Sequence, residues 1–185
     1  ALRALDAAAA SAPRERPDSS DVLILGGGLT GLIVGQALSK YGVDLAILEK
    51  RQSVGGVWRW YGNPHSRVNS TEPAYRMRVL RDQSNTNHSY FFEVIDDMRR
   101  AIEQHDLAAH IHLGSDVSCV LSKTSKQWCA HGTQMRGASR VAFWLSARRM
   151  LLLCTNRRIG NPRCIRYEGE ERFDGFILRG LSGDN

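Results

Sequence analysis

The chain has 185 residues, which is enough for one domain with a substantial apolar core. Apolar residues make up 42% and charged residues 24% of it, proportions that are usual for a soluble globular protein. The formal net charge of +6 comes mostly from arginine. Such an excess suits an anionic partner (a phosphate-rich cofactor, an acidic protein surface or nucleic acid), or arginines spread over a solvated surface.

The four cysteines lie ten or more residues apart and include no C-x-x-C pair. This spacing argues against a zinc ribbon and against a dithiol redox centre, so we expect buried free thiols. The longest uncharged run, 22–39, is short for a membrane span and is interrupted by three consecutive glycines. A strand, a turn and a helix explain that run better, and no transmembrane segment is predicted.

Residues 1–20 form an Ala-rich and then Pro/Arg/Ser-rich segment, which we expect to be a tail that adds little to a core. A short helix over 2–10 that docks on another surface is one expectation for it. The sequence begins with Ala instead of Met, which suggests a processed precursor or a trimmed sequence. An organellar protein, for example a plastid one, is the localisation that this hypothesis implies.

Hydrophobic periodicity predicts an alternation of strands and helices along the chain. The pattern predicts a strand over 21–25, a helix over 29–41, a strand over 43–49, a polar loop over 51–88 and a helix over 89–105 that begins at Ser89. Strand pieces are expected in 110–123, 127–134 and 139–155, with a turn around 132–138 and a separate central parallel strand at 150–155.

Two groups of polar residues allow structural interpretations. Asp96 and Asp97 stand beside Arg99 and Arg100 on the helix predicted over 89–105, which favours one exposed charged face. His110 and His112, two apart in an expected strand, would point to the same side of it. A metal would need a further ligand on that side and none is evident, so we interpret them as surface or interface histidines and predict no metal site.

The stretch from Gly26 to Gly31 reads G-x-G-x-x-G between a predicted strand and a predicted helix. Gly26 permits a tight turn, Gly28 lets a pyrophosphate approach the backbone, and Gly31 lets helix and strand pack closely. The pyrophosphate would rest on the helix N-terminus, where N–H groups are free. Glu49, eighteen residues after Gly31 at the end of the second strand, is placed to accept hydrogen bonds from a ribose. Since an acid disfavours a 2′-phosphate, NADP is not expected in this particular site.

A second glycine pair, Gly55 and Gly56, is followed by Trp58 and a run of aromatic and amide side chains. Together with the first glycine turn and Glu49, this G-G-x-W motif resembles the N-terminal FAD-binding part of class B flavin-dependent monooxygenases. That family includes N-hydroxylating, S-oxygenating and Baeyer–Villiger enzymes. The segment 67–69 is also similar to the one that follows G-G-x-W in the family, and the resemblance extends over about residues 21–180.

The resemblance implies an α/β fold, namely an FAD-type Rossmann domain over 21–185 with a parallel sheet and a small antiparallel β-meander over 117–146. The backbone around Val117 would contact the adenine, and Trp128 falls where the meander often carries a tryptophan. The implied cofactor-binding residues are Gly26, Gly28, Leu29, Thr30, Gly31, Glu49, Lys50, Gly56, Val57, Trp58, Val117 and Thr155.

The sequence departs from the family pattern at three places. The returning strand ends in Cys154-Thr155-Asn156, where the family has Ala-Thr-Gly, and Arg179 replaces the histidine of the family's F-x-G-x-x-x-H motif. The chain also stops at Asn185, about where a second glycine-rich domain for NADPH would begin. NADPH is therefore expected only if such a domain exists, and no catalytic residue is assigned.

Two functional hypotheses follow. The first is the FAD-binding part of an NADPH-dependent monooxygenase-like oxidoreductase, inactive as this chain alone. The second is a non-catalytic accessory subunit of a larger assembly, such as a plastid membrane complex, that contacts protein partners through its tail and its basic surface. The arginines between 136 and 166 accompany no recognisable nucleic-acid-binding motif, so no nucleic-acid partner is predicted.

Overall fold

The computed structural model describes residues 1–10, 17–70, 75–156 and 164–177. It divides into two compact units, Ala1–Cys154 and Thr155–Asn185. The second unit contains a short 3₁₀ helix, Glu170–Arg172. Arg179, where the sequence departs from the family motif, lies outside the described residues.

The first unit alternates helices and strands, as the sequence predicts. Its elements are α1 (Leu2–Ala9), β1 (Ser19–Leu25), α2 (Leu29–Ser39), β2 (Leu45–Leu48), α3 (Gly56–Trp60), α4 (Phe91–Gln104), a 3₁₀ helix (Leu107–His110), β3 (Ile111–His112), β4 (Ser115–Leu121), β5 (Trp128–Arg136) and β6 (Ser139–Leu153). The short helix α3 lies inside the segment predicted as a loop. The sequence does not indicate this helix, because G-G-x-W gives only one turn of helix and too little periodicity to be recognised.

The six strands form one mixed sheet in the order β3-β2-β1-β6-β5-β4. Strand β1 pairs in parallel with both β2 and β6, and β2 pairs in parallel with β3. Strand β5 pairs antiparallel with both β4 and β6, which makes the meander. The predicted α/β class, with a parallel sheet and an antiparallel meander, is confirmed.

Strand β6 belongs to both parts of the sheet. Its first half, Ser139–Ala147, pairs with β5, and its second half, from Ser146 to Leu153, pairs with β1. Residues 150–153 pair in parallel with β1, as predicted, but the expectation of a separate strand over 150–155 is wrong, since they are the end of a single 15-residue strand. No glycine or proline interrupts residues 139–153, so the chain runs from one part of the sheet to the other without a turn.

Both faces of the central strands are covered, which explains why β2 is apolar at every position. Val22, Ile24, Leu45 and Ile47 join a core cluster with the helices. Their neighbours Leu23, Leu25, Ala46 and Leu48 join a second cluster with Ala130, Phe143, Leu145 and Ala147 of the meander. Because side chains alternate along a strand, two covered faces require this continuous apolar run.

The N-terminal helix α1 packs against the rest of the first unit. Leu5 is fully buried and Ala9 is 4% exposed, and both belong to the core cluster on the helix side of the sheet. The expected helix over 2–10 is confirmed, whereas the expectation that residues 1–20 add little to the core is wrong for Leu5 and Ala9. The spacing of Leu2, Leu5 and Ala9 places them on one face of a helix, which is the periodic signal for burial.

Three interpretations of polar residues need correction. Asp96 pairs with Arg99 and Arg100 on a half-exposed face, but Asp97 is only 3% exposed. His110 ends the 3₁₀ helix and only the buried His112 lies in β3, so the two do not share a strand. The cysteines are free, as predicted, but none is buried: Cys119, Cys129 and Cys154 are half-buried and Cys164 is exposed.

Among the described residues, no helix has both the length and the apolar character that a membrane span requires.

Helix α4 begins at Phe91, with Tyr90 in the N-cap position instead of the predicted Ser89. Glu93 reaches back over this first turn. One carboxylate oxygen accepts the Tyr90 N–H at 2.7 Å and the Thr86 hydroxyl at 2.6 Å, and the other accepts the Thr86 N–H at 2.7 Å. Burial raises the pKa of Glu93, but these hydrogen bonds lower it by more, so the pKa lies below its ordinary value of 4.5.

This cap predicts a pH-dependent contribution to stability. Because the folded-state pKa is depressed, the contribution of Glu93 is present above the unfolded-state pKa and is lost as the pH falls through the folded-state value. The stability difference between the wild type and Glu93→Gln should therefore shrink between about pH 6 and about pH 3. Urea unfolding of both proteins across this range measures it, and curves that fell in parallel would contradict the role of the cap.

Candidate nucleotide-binding site

A glycine turn joins the carboxyl end of β1 to the start of α2. Gly26 has a φ of 102°, which favours glycine, and Gly28 is the extended N-cap of α2. The N–H groups of Leu29 and Thr30, in the first turn of α2, have no hydrogen-bond partner among the residues that the structure describes. They are donors at the positive end of an eleven-residue helix, an arrangement that suits a phosphate.

Gly31 sets how closely α2 approaches β1. A Cβ atom at this position would lie 1.9 Å from the Gly26 carbonyl oxygen and 3.5 Å from a side-chain carbon of Ile24. Only a hydrogen atom fits there, so the third glycine of the motif is required for the close helix–strand packing that the sequence predicts.

Glu49 follows the last residue of β2 and is 8% exposed. One carboxylate oxygen accepts the Gly27 N–H at 2.7 Å, and the other accepts the Arg51 N–H at 2.8 Å. The fold therefore brings the acid directly to the glycine turn, as the spacing of the motif predicts. Each carboxylate oxygen offers two lone pairs, so this arrangement leaves acceptor capacity for hydroxyl groups.

The second glycine pair lies against the first. The Gly55 N–H donates to the Gly27 carbonyl at 2.9 Å. A Cβ added to Gly56 would lie 3.0 Å from the Gly28 Cα, so the two backbones are in contact. Gly55 and Gly56 have φ values of 118° and 52°, which place both in the left-handed region. The two glycine motifs, separated in sequence, thus build one continuous backbone surface beside Glu49.

The remaining predicted residues are Lys50 and Val117, Val57 and Trp58, and Thr155. The Lys50 Nζ atom lies 3.4 Å from a carboxylate oxygen of Asp116, the neighbour of Val117. The Ser115 N–H donates to the Glu49 carbonyl at 2.8 Å. The start of β4 is thereby brought to the end of β2, and the Val117 side chain packs on the meander core.

Trp58 and Val57 lie on α3. The indole of Trp58 packs on the helix-side core, and its Nε1–H donates to the Tyr75 hydroxyl at 2.7 Å, whereas Val57 is 41% exposed. Thr155 begins the second compact unit and is exposed.

Two residues of this surface were not selected from the sequence. Gly27 links Glu49 and Gly55 through its N–H and its carbonyl. Arg51 donates its N–H to Glu49, and its guanidinium lies 4.3 Å from the centre of the Trp60 ring. The signal for Gly27 was its place in a run of three glycines. Arg51 offered no signal beyond its position two residues after the acid.

A separate surface cavity of about 590 Å³ lies near α1 and the end of α4. Ala8, Ile102, Asp106 and His110 are among its lining residues, and it shares none with the glycine turn. The chemistry of the candidate nucleotide site comes from backbone N–H donors and a carboxylate.

Comparison with known proteins points to the same site. Residues 24–94 match a family described as an NAD(P)-binding Rossmann-like domain. The FAD-binding monooxygenase acrE of Aspergillus aculeatus is 36% identical over 85% of this chain and 26% of its own length. The Baeyer-Villiger monooxygenase peniC of Penicillium patulum is 28% identical over 84% of this chain and 25% of its own length.

The fold has relatives among solved structures. The polycyclic ketone monooxygenase of the thermophilic fungus Thermothelomyces thermophila superposes with a TM-score of 0.62, at 22% identity, over 80% of this chain and 25% of that one. The chain thus spans about a quarter of the length of these relatives.

The hypothesis of a non-catalytic accessory subunit gains no support from these comparisons, because the three relatives are each named as monooxygenases. The family match covers the glycine turn, Glu49 and the second glycine pair. Sequence and fold together show that the chain is a Rossmann-like domain resembling the N-terminal portion of FAD-dependent monooxygenases.

Proposed function

We propose that the chain binds FAD through the adenosine diphosphate half of the cofactor, at the surface formed by the glycine turn, the second glycine pair and Glu49. The observation that carries this proposal is the contact between Glu49 and the glycine turn. A buried carboxylate lies 2.7 Å from the N–H of Gly27, beside a helix N-terminus whose first N–H groups are unpartnered within the described ranges. A ribose with a pyrophosphate attached offers hydroxyl donors for such a carboxylate and an anion for such a helix N-terminus.

The chain's own residues have distinct tasks in this proposal. The N–H groups of Leu29 and Thr30 would bind the pyrophosphate oxygens, and Glu49 would accept hydrogen bonds from the ribose hydroxyls. Lys50 and the backbone at Val117 border the side where the adenine would lie. Val57 on the exposed side of α3 and Trp58 are the candidates for positions towards the flavin.

The larger function that this binding would serve is NADPH-dependent monooxygenation. FAD would supply the redox chemistry, and the role of this chain is to bind and orient it. The name of the relative acrE, an FAD-binding monooxygenase, supports this proposal, as does the resemblance of the two glycine motifs to the family. A hydride donor such as NADPH would have to be held by residues other than the site described above.

Titration of the purified chain with FAD tests the proposal through the quenching of flavin fluorescence. FAD should bind, ADP should compete with it, and FMN, which lacks the adenylate, should compete poorly. Glu49→Gln should weaken FAD binding by about 10-fold to 100-fold, the effect of losing a hydrogen bond to a charged acceptor.

The matched control is Glu103→Gln on α4, where the side chain is half-exposed and pairs with Arg99. It should leave FAD affinity unchanged. Equal displacement by FMN and ADP, or equal affinities of the two variants, would contradict binding through the adenosine half.

A further inference from the structure

We infer that the N-terminal helix α1 is a positioning element for the nucleotide site. Through Leu5 and Asp6 it fixes the start of α3, and therefore the second glycine pair, against the glycine turn. The effect on cofactor affinity rests on the proposed function, whereas the effect on the local order of α3 does not.

Leu5 makes the apolar part of this contact. Its side chain is fully buried, and its Cδ2 atom lies 3.3 Å from the position that a Cβ at Gly55 would occupy. A side-chain carbon of Ile95 on α4 lies 3.6 Å from the same position. Gly55 is thus enclosed between α1 and α4, at a φ of 118° that only glycine adopts readily.

Asp6 makes the polar part, one residue further along α1. The Asp6 Oδ2 atom accepts a hydrogen bond from Arg59 Nη2 at 3.0 Å, and Oδ1 and Nη1 form an ion-pair contact at 2.8 Å that lacks hydrogen-bond geometry. The Arg59 side chain is 18% exposed and that of Asp6 is 41% exposed. This charge-assisted hydrogen bond is partly shielded from solvent, and it ties the position of the Arg59 side chain to α1.

The contacts continue from α3 to Glu49. The Arg59 N–H lies 3.4 Å from the Gly55 carbonyl, and the Gly55 N–H donates to the Gly27 carbonyl at 2.9 Å. The Gly27 N–H donates in turn to Glu49 at 2.7 Å. Displacement of Arg59 would therefore move the backbone that borders the ribose acceptor. A helix that only added apolar burial would not have this directional link.

Hydrogen exchange and FAD titration of Asp6→Ala and Asp6→Asn test the inference. In the absence of FAD, the amides of Gly55, Arg59 and Tyr61 should exchange about tenfold faster in both variants. The dissociation constant for FAD, measured well below the unfolding temperature, should rise by about fivefold to tenfold. The double exchange Asp6→Arg with Arg59→Asp should restore both properties, since it recreates the pair with the charges reversed.

Arg148→Ala is the matched control, because it also removes an ion-paired side chain that, like that of Asp6, is 41% exposed. Arg148 pairs with Asp21 at 2.9 Å and with Asp44 at 2.6 Å, at the opposite ends of β1 and β2 from the glycine turn. It should change neither exchange at residues 55–61 nor FAD affinity.

The two proposals fail in different ways. If the Asp6 variants lower only the unfolding temperature, with exchange at 55–61 unchanged, the positioning role of α1 is overturned. If the wild type binds no FAD, the proposed function is overturned, and exchange in the cofactor-free protein still decides the role of α1.

Discussion

Replacement of Asp97 by alanine is expected to lower the free energy of unfolding by about 3 to 5 kcal/mol, the range for removing one partner of a buried ion pair. Asp97 accepts hydrogen bonds from Arg81, including one from Nε at 2.7 Å, and from the Asn85 amide at 3.2 Å. The Arg81 side chain is 14% exposed. Without Asp97, the Arg81 charge would keep only the carbonyls of Met77 and Val79 as partners among the residues that the structure describes. The segment that these residues hold against α4 should then lose its anchor.

The neighbouring residue provides the control for this prediction. Asp96 is the same residue type on the same helix, but its side chain is 37% exposed and its pairs with Arg99 and Arg100 lie on the surface. Burial raises the pKa of Asp96, yet the hydrogen bonds from both arginines lower it by more. Because solvent screens such pairs, Asp96→Ala should cost less than about 1 kcal/mol. Urea unfolding of the three proteins measures the difference, and equal losses at both positions would show that burial of the pair is not the cause.

The second large effect is expected for Gly31→Ala, which should lower the free energy of unfolding by about 3 kcal/mol. The added methyl carbon would lie 1.9 Å from the Gly26 carbonyl oxygen, and the obstacle is backbone instead of a flexible side chain. Helix α2 would have to move away from β1, which opens the core around Leu32 and displaces the N–H groups of the first turn. Affinity for FAD should fall together with stability.

Gly137→Ala is the appropriate comparison for Gly31→Ala. Gly137 lies in the turn between β5 and β6 with a φ of 61° and with nothing near its missing side chain. Its replacement should cost about 1 kcal/mol, from the left-handed backbone alone. Chemical denaturation separates the two, and a Gly31→Ala protein no less stable than Gly137→Ala would contradict the steric argument.

The parts of the fold that were predictable are those encoded in short stretches. The apolar runs of β1 and β2, the periodicity of α4 and the glycine turn each depend on neighbouring residues, and each was located within a few positions. The proximity of Glu49 to the turn also followed from local pattern, because consecutive parallel strands end at the same edge of a sheet.

What could not be predicted depends on partners that are distant in sequence. The sequence pattern indicates surface charge at Asp97, because its partner Arg81 stands sixteen residues earlier in a segment without periodicity. The contact of Gly56 with Gly28 and the pairing of Asp6 with Arg59 likewise join separate segments. The short α3 and the docking of α1 both follow from tertiary contacts, which outweigh weak local preferences.

The pairing of β6 with β1 has a consequence for the order of folding. Val22 pairs with Met150 and Leu25 with Leu153, so β1 has no neighbour on one side until the polypeptide has been synthesised past residue 153. Contacts between such distant segments slow folding, since a long loop must close before they form. The glycine turn, although encoded entirely within the first third of the chain, is therefore expected to become ordered late. On the ribosome, the nascent chain would expose the edge of β1 until β6 emerges, and a chaperone that binds apolar strands would find its target there.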